Sequence, residues 1–228
     1  MGDYFTWDGL VQFVPKIAAQ LPMTLLIVGG SLLIGVVLGL LLAFVRVFSI
    51  PVAKQIAIVF TSFVRGTPEI VQVFMVYYGL PLLVQAVAGV DIDSLSALYF
   101  VIISFGINTA GYLAELFRGA LESVPRGQYE AGEAAGLTRG AIFRRIIIPQ
   151  AAKFALPGFG VNVVYLFQST SMAAAVGVMD MMGKAANLGS ATGRLLQSYA
   201  AAAVLFIVIS VLLQWAFSLL DKRVSFGR

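Results

Sequence analysis

Three short polar clusters interrupt the long apolar stretches of this chain, and any chemistry must sit in them. Arg65 and Glu69 lie four residues apart. Asn108, Thr109 and Tyr112 run towards Glu115, and Gln168, Ser169, Thr170 and Ser171 are consecutive. These side chains can hold charge and exchange hydrogen bonds, but they do not make a catalytic set. The chain has no histidine and no cysteine. That removes the commonest general base and metal ligand, and with them disulfides and thiolate metal sites. No acidic pair is placed to converge in neighbouring apolar stretches, so neither a catalytic nor a metal site is expected. The run from Gly177 to Ala185, GVMDMMGKA, resembles a phosphate loop only loosely. It has five residues between its glycines where four are needed, and alanine where a hydroxyl must follow the lysine.

Ionisable groups within apolar spans are costly, so each is a functional candidate. Arg65 and Glu69, four apart, are expected on one helix face. Two readings stand: a mutually neutralising pair that stabilises a break at Pro68, or a Glu69 carboxylate beside a pathway, attracting a cationic side chain. The strips at 108–112 and 168–171 are open to two readings as well. They can tie helices together, typically for under about 2 kcal/mol per bond, or bind the carboxylate and ammonium of an amino acid near the bilayer midplane. Glu115, close to Arg118, reads as a surface ion pair.

The elements that position these groups follow from composition. Of 228 residues, 60% are hydrophobic and 11% charged, against about 45–50% and about 25% in soluble domains; the mean hydropathy is +0.94. A membrane crossing takes about 20 apolar residues. Five candidates result: about Leu21 to Val47, Ile56 to Val87 with an interruption at Gly66-Thr67-Pro68, Leu95 to Phe117, Ala151 to Val178 with Pro157 inside, and Tyr199 to Leu220. No polar linker divides them, so residues 1–228 are expected to form one all-α membrane domain. The first stretch is too long for the core of a cleaved signal, and its flank holds Asp3 and Asp8. Glycines 29, 30, 35 and 39 suit close helix packing or a specific dimer face.

Basic residues are distributed unevenly. Arg46, Lys54, Arg118, Arg126, Arg139, Arg144, Arg145, Lys153, Lys222, Arg223 and Arg228 fall on one side of a five-span topology, and only Lys16, Lys184 and Arg194 on the other. Arg65 is left inside the second span. The excess places the C-terminus and the 118–150 loop in the cytoplasm and the N-terminus outside. It also explains the net charge of +4 without nucleic acid.

The loop at about 121–149 is too polar to span and well supplied with helix signals. Pro125 suits a first turn, QYEAGEAA is mostly good helix formers, Gly136 is a natural left-handed stop, and Thr138 can cap a second helix. Ile142, Phe143 and Ile146 lie to one side of that helix, and Pro149 punctuates the return to the membrane. A basic amphipathic loop resting on headgroups would explain the arginines, but not a tight helix–glycine–helix unit.

Here the chain resembles the permease subunits of ABC importers. Their signature is Glu-Ala-Ala, three residues, Gly, nine residues, then Ile-x-Leu-Pro. The matching positions are Glu130-Ala131-Gly132, Gly136, Ile146 and Ile148-Pro149, with Gly132 for Ala and Ile148 for Leu as departures. Arg65-Gly66-Thr67-Pro68, Tyr77-Tyr78-Gly79-Leu80-Pro81, Pro125-Arg126-Gly127-Gln128 and Pro149-Gln150-Ala151 look like the polar-amino-acid branch. The likeness is greatest to histidine/arginine/lysine/ornithine and opine permeases, although Gln168 stands where that branch usually carries lysine.

The resemblance implies a type I importer permease fold with a cytoplasmic coupling helix, and gives ATPase coupling to Glu130, Ala131, Gly132 and Gly136. It implies no cofactor in this chain, with ATP and Mg held by a partner. The partners implied are two ATP-binding subunits, a similar but distinct second permease and an extracytoplasmic substrate-binding protein. The setting implied is the bacterial plasma membrane. A cationic amino acid or opine is the expected cargo; glutamine, glutamate or cystine are alternatives. An ion-gradient-driven carrier is the rival mechanism, but the inverted repeats such carriers often show are not evident. A non-transporting scaffold would tolerate loss of the polar intramembrane residues.

Overall fold

The computed structural model describes residues 6–225; Asp3 of the N-terminal flank and Arg228 of the basic-residue pattern lie outside them. The chain is helical along nearly its whole described length, with five segments long and apolar enough to cross a membrane: Leu21–Val47, Glu69–Ala88, Ala97–Glu122, Arg139–Val176 and Leu195–Val224.

Helix α1 (Trp7–Ala18) was not expected. Thr6 caps it through an N–H from Gly9 at 3.3 Å, and it buries Gly9, Phe13 and Ile17 against α10 (Met181–Thr192) and α11 (Leu195–Ser225). Fully buried Gln197 of α11 donates to the Thr6 carbonyl at 2.7 Å. At 12 residues α1 is too short to span, which is why hydropathy passes over it.

Span 1 is α2 (Leu21–Val47), and its main partner is α6 (Ala97–Glu122). Ser31, Gly35, Gly39 and Ala43 recur every fourth residue and are all buried. A Cβ on Gly35 would fall 2.6 Å from Thr109 Cγ2, and one on Gly39 2.9 Å from Leu113 Cβ. The glycines therefore serve packing within the chain, where small residues let backbones approach. The opposite face of α2 leaves Leu33, Leu40, Leu41 and Phe44 exposed, as a lipid-facing surface does.

The second apolar stretch is two units. Helix α3 (Ala53–Gly66) ends at the break. Helix α4 (Glu69–Phe74), a five-residue π segment (Met75–Gly79) and α5 (Leu80–Ala88) then form the actual span. Thr67 and Pro68 are both extended, with ψ of 143° and 133°, because a proline ring pushes its predecessor out of the helical region. Carbonyls freed at the break are re-used: Thr67 Oγ1 donates to Phe63 O at 2.9 Å and Gln72 Nε2 to Val64 O at 2.7 Å. Arg65 consequently belongs to α3 and is not inside span 2.

The polar loop folds into a hairpin of α7 (Arg126–Ala134) and α8 (Arg139–Ile142). Gly136 has φ +77°. Its N–H bonds Glu133 O at 2.9 Å, and the Leu137 N–H bonds Gly132 O at 3.0 Å, the paired Schellman pattern. Thr138 accepts from the Ala141 N–H at 3.4 Å as the expected cap.

Pro149 does not interrupt the chain. Helix α8 continues through a π segment (Phe143–Ile147) into α9 (Ile148–Ser169) and a 3₁₀ turn (Thr170–Val176). A proline within an α-helix lacks the N–H for the i−4 carbonyl and collides with it. Here the five-residue π turn precedes Pro149, where such bulges absorb a local mismatch.

Candidate functional site

Helices α3, α4, α6 and α9 bring the first two polar clusters and part of the third to one seam. Glu69, at the start of α4, is only 8% exposed and accepts the Ser169 hydroxyl at 2.7 Å, across a hundred residues of chain. The Tyr165 phenol adjoins the same carboxylate. Three residues on, Gln72 accepts at Oε1 from Asn108 Nδ2 at 3.1 Å, while its amide donates to Val64 O and Thr67. Tyr112 lies one turn beyond Asn108 and meets Tyr165 with ring centroids 6.0 Å apart. The Arg65 guanidinium stands 5.7 Å from the Tyr112 ring centre, within cation–π range.

The proposed Arg65–Glu69 pair does not form. The break at Thr67-Pro68 destroys the helical register on which an i,i+4 contact depends, so the two side chains part. Arg65 instead reaches Glu115 at 3.8 Å.

Glu115 is accordingly more than a surface ion pair. Arg46 of α2 bonds one of its oxygens, and Arg118 bonds the other through Nε at 3.1 Å and Nη2 at 2.9 Å. Arg46 also donates to Thr61 Oγ1 at 3.2 Å, so one carboxylate ties the basic ends of α2, α3 and α6 together.

The rest of the 168–171 run faces elsewhere. Gln168 donates to Ser210 of α11 at 3.2 Å and opens on a cavity of about 470 Å³ between α9 and α11, shared with Tyr165 and Gln214. Thr170 is fully buried and bonds back to Phe167 O at 2.8 Å; Ser171 bonds Gln168 O at 2.9 Å. Both hydroxyls serve the turn from α9 into the 3₁₀ segment.

Sequence spacing passed over Tyr165 and Gln72 as site residues. Each carried a signal: Tyr165 sits four residues before Ser169 and Gln72 three after Glu69, on the same helical faces.

In the hairpin, Glu130, Ala131 and Gly136 are exposed and Gly132 is buried. A Cβ on Gly132 would lie 2.8 Å from Ile142 Cγ1, and Ile142 is fully buried. Glycine at 132 therefore lets the two arms close on each other. Outside the spans, burial pushes the Asp180 carboxyl up to about 6. Its Oδ1 caps α10 through the Gly183 N–H at 2.8 Å, and its Oδ2 has no hydrogen-bond partner among the described residues.

A five-span bundle with a satisfied polar seam and a folded hairpin at its basic end defines a membrane permease subunit. Among the described residues no group of three acidic side chains could hold a metal. The chain belongs to the family of binding-protein-dependent transport system inner membrane components, which matches residues 35–226. It is 39% identical to the L-cystine transport system permease protein TcyL of Bacillus subtilis (strain 168), over 99% of this chain and 94% of that protein. It is 34% identical to the octopine transport system permease protein OccM of Rhizobium radiobacter, over 95% and 87%. A crystal structure of an amino acid ABC transporter with histidines superposes with a TM-score of 0.84 at 28% identity, covering 96% of this chain and 99% of that one.

Proposed function

We propose that this chain is a permease subunit of an ATP-driven importer carrying a polar, cationic amino acid across the plasma membrane, with residues 1–228 acting as one unit. Two ATP-binding subunits hold ATP and Mg, a similar but distinct permease completes the pathway, and a substrate-binding protein delivers cargo outside. The excess of basic residues around the hairpin supports a cytoplasmic hairpin and C-terminus.

The observation that carries the reading is continuity between hairpin and seam. Helix runs unbroken from Arg139 to Val176, so the arm beside Glu130, Ala131, Gly132 and Gly136 is the same rod that carries Ser169. At about 1.5 Å per residue, the 30 residues between them span about 45 Å. A pull on the hairpin is thereby felt at the Ser169–Glu69 contact, with no loop between to absorb it. Arg65, Asn108, Tyr112 and Gln168 are assigned to the pathway with Glu69 and Ser169, whereas Thr170 and Ser171, whose hydroxyls bond back to Phe167 O and Gln168 O, are left to the turn.

A second reading concerns cargo. The likeness to a cystine permease favours a zwitterion whose ammonium, rather than a cationic side chain, meets Glu69. Competition assays in inside-defined vesicles test both: lysine and arginine should displace cargo better than cystine or glutamine. Uptake that survives ATP depletion and collapses with an ion gradient refutes the importer.

A further inference from the structure

The basic end of the bundle carries an apolar groove lined by none of the polar seam residues. It has a volume of about 360 Å³ and lies between the last turns of α2 and α6 and the helix leaving the π segment. Phe44, Phe117, Phe143, Ile148 and Ala152 are among its walls, and no lining side chain bears a charge or a hydrogen-bonding group. Phe44 and Ile148 are half exposed, at 50% and 48%, so the groove opens onto the lipid-facing side of α2. In a bilayer the natural filling for such a space is hydrocarbon.

Charge at the mouth selects which lipid supplies it. The Phe48 ring packs on Phe143 with centroids 5.2 Å apart, which sets the turn after α2 beside the π segment. That turn leads to Lys54, whose Nζ reaches Ser49 Oγ at 3.2 Å. Arg144 and Arg145 follow Phe143 directly and are exposed. None of the three cations has an acidic partner among the described residues; Glu122, at the end of α6, is held by Arg118 at 2.6 Å. We propose that this groove holds an acyl chain of an anionic phospholipid whose phosphate is bound by Lys54, Arg144 and Arg145. The proposal rests on neither the cargo nor the importer reading.

The test uses Phe44→Trp as a probe in the full chain, with Trp7→Phe and Trp215→Phe to clear the background, purified with its accompanying subunits into nanodiscs. Quenching is measured with brominated phosphatidylglycerol and brominated phosphatidylcholine. A basic side chain near the surface is worth roughly a factor of five in binding an anionic lipid. Three predict about a hundredfold preference for phosphatidylglycerol, falling to about fivefold in Arg144→Gln/Arg145→Gln. Ala152→Phe, which fills the groove and leaves the cations, should abolish the selective quenching. Equal quenching by the two lipids, or selectivity unchanged in Ala152→Phe, overturns the proposal. So does a tryptophan shielded from both lipids, which would mean that protein covers the groove.

Discussion

Replacing Glu69 by glutamine separates the two ways this carboxylate can meet cargo. Glutamine keeps the shape and an oxygen that can accept the Ser169 hydroxyl, now 2.7 Å away, so the α4–α9 contact survives. The charge is lost, and at 8% exposure little water compensates for it. A hydrogen bond to a charged group contributes about 1.5–3 kcal/mol, equivalent to about a 10- to 150-fold change in binding. If Glu69 faces a cationic side chain, KM for lysine and arginine should rise by that factor in reconstituted uptake, while KM for glutamine stays within about twofold. If it faces the ammonium common to all amino acids, every KM rises together. Thermal stability in detergent should hold or increase, since a buried carboxylate is the costlier group to keep out of water. Unchanged uptake of lysine and arginine, with the variant folded and assembled, refutes any cargo role for Glu69.

Three further perturbations follow from the geometry. Glu115→Gln removes the charge that gathers Arg46, Arg118 and Arg65. Breaking a fully buried pair costs about 3–5 kcal/mol, but Glu115 is 21% exposed, so about 2 kcal/mol, or roughly 4–8 °C in melting temperature, is expected; an unchanged melting curve refutes the node. Gly136→Ala places a side chain at φ +77°, costing about 1–2 kcal/mol and misaligning the hairpin arms. Stimulated ATPase activity of the assembled importer should fall, whereas Gly127→Ala, with open space around it, should be neutral; equal effects would remove the turn from the argument. The Asp180 carboxyl, raised by burial from 3.8 to about 6, retains in the folded state a proton that the unfolded chain releases. Its contribution is therefore most favourable below about pH 4 and declines by about 3 kcal/mol between about pH 4 and pH 6. Asp180→Asn, melted at pH 4.5 and 7.5, should lose that slope; a slope identical to the parent's would refute it.

What could be read from the chain depended on how local its cause was. The Gly136 stop and the Thr138 cap are decided within one or two turns, so residue types alone located them. Spans 1, 3 and 5 were legible because hydropathy integrates over a whole helix. The break at Thr67-Pro68 was visible, yet its consequence was missed, because the i,i+4 rule was carried across a point where the helix stops. Pro149 misled for the converse reason: a π turn let the helix continue past a residue that normally ends it. The partners of Glu69 and Glu115 were beyond local reasoning. Ser169 is a hundred residues from Glu69, and Arg46 lies 69 residues from Glu115, so only packing brings them together.

These two irregularities divide the bundle into a stiff part and a hinged part. The π turn before Pro149 keeps the helix continuous from the hairpin to Ser169, with one backbone hydrogen bond given up at Pro157 inside α9, whereas the extended residues at 67–68 detach α4 from α3. Three side-chain hydrogen bonds from the Gln72 amide to Val64 O and Thr67 span that gap. Such bonds stretch or exchange for water far more readily than a helix bends. Under the proposed coupling, force applied at the hairpin moves Ser169 with its rod and leaves Glu69 on the hinged side. The 2.7 Å contact between them is then the first place where the two parts separate. The Glu115 cluster, where α2, α3 and α6 meet, limits how far α3 can follow. A path through the seam opens most easily where a rigid element slides past a hinged one, and Glu69 stands on that boundary.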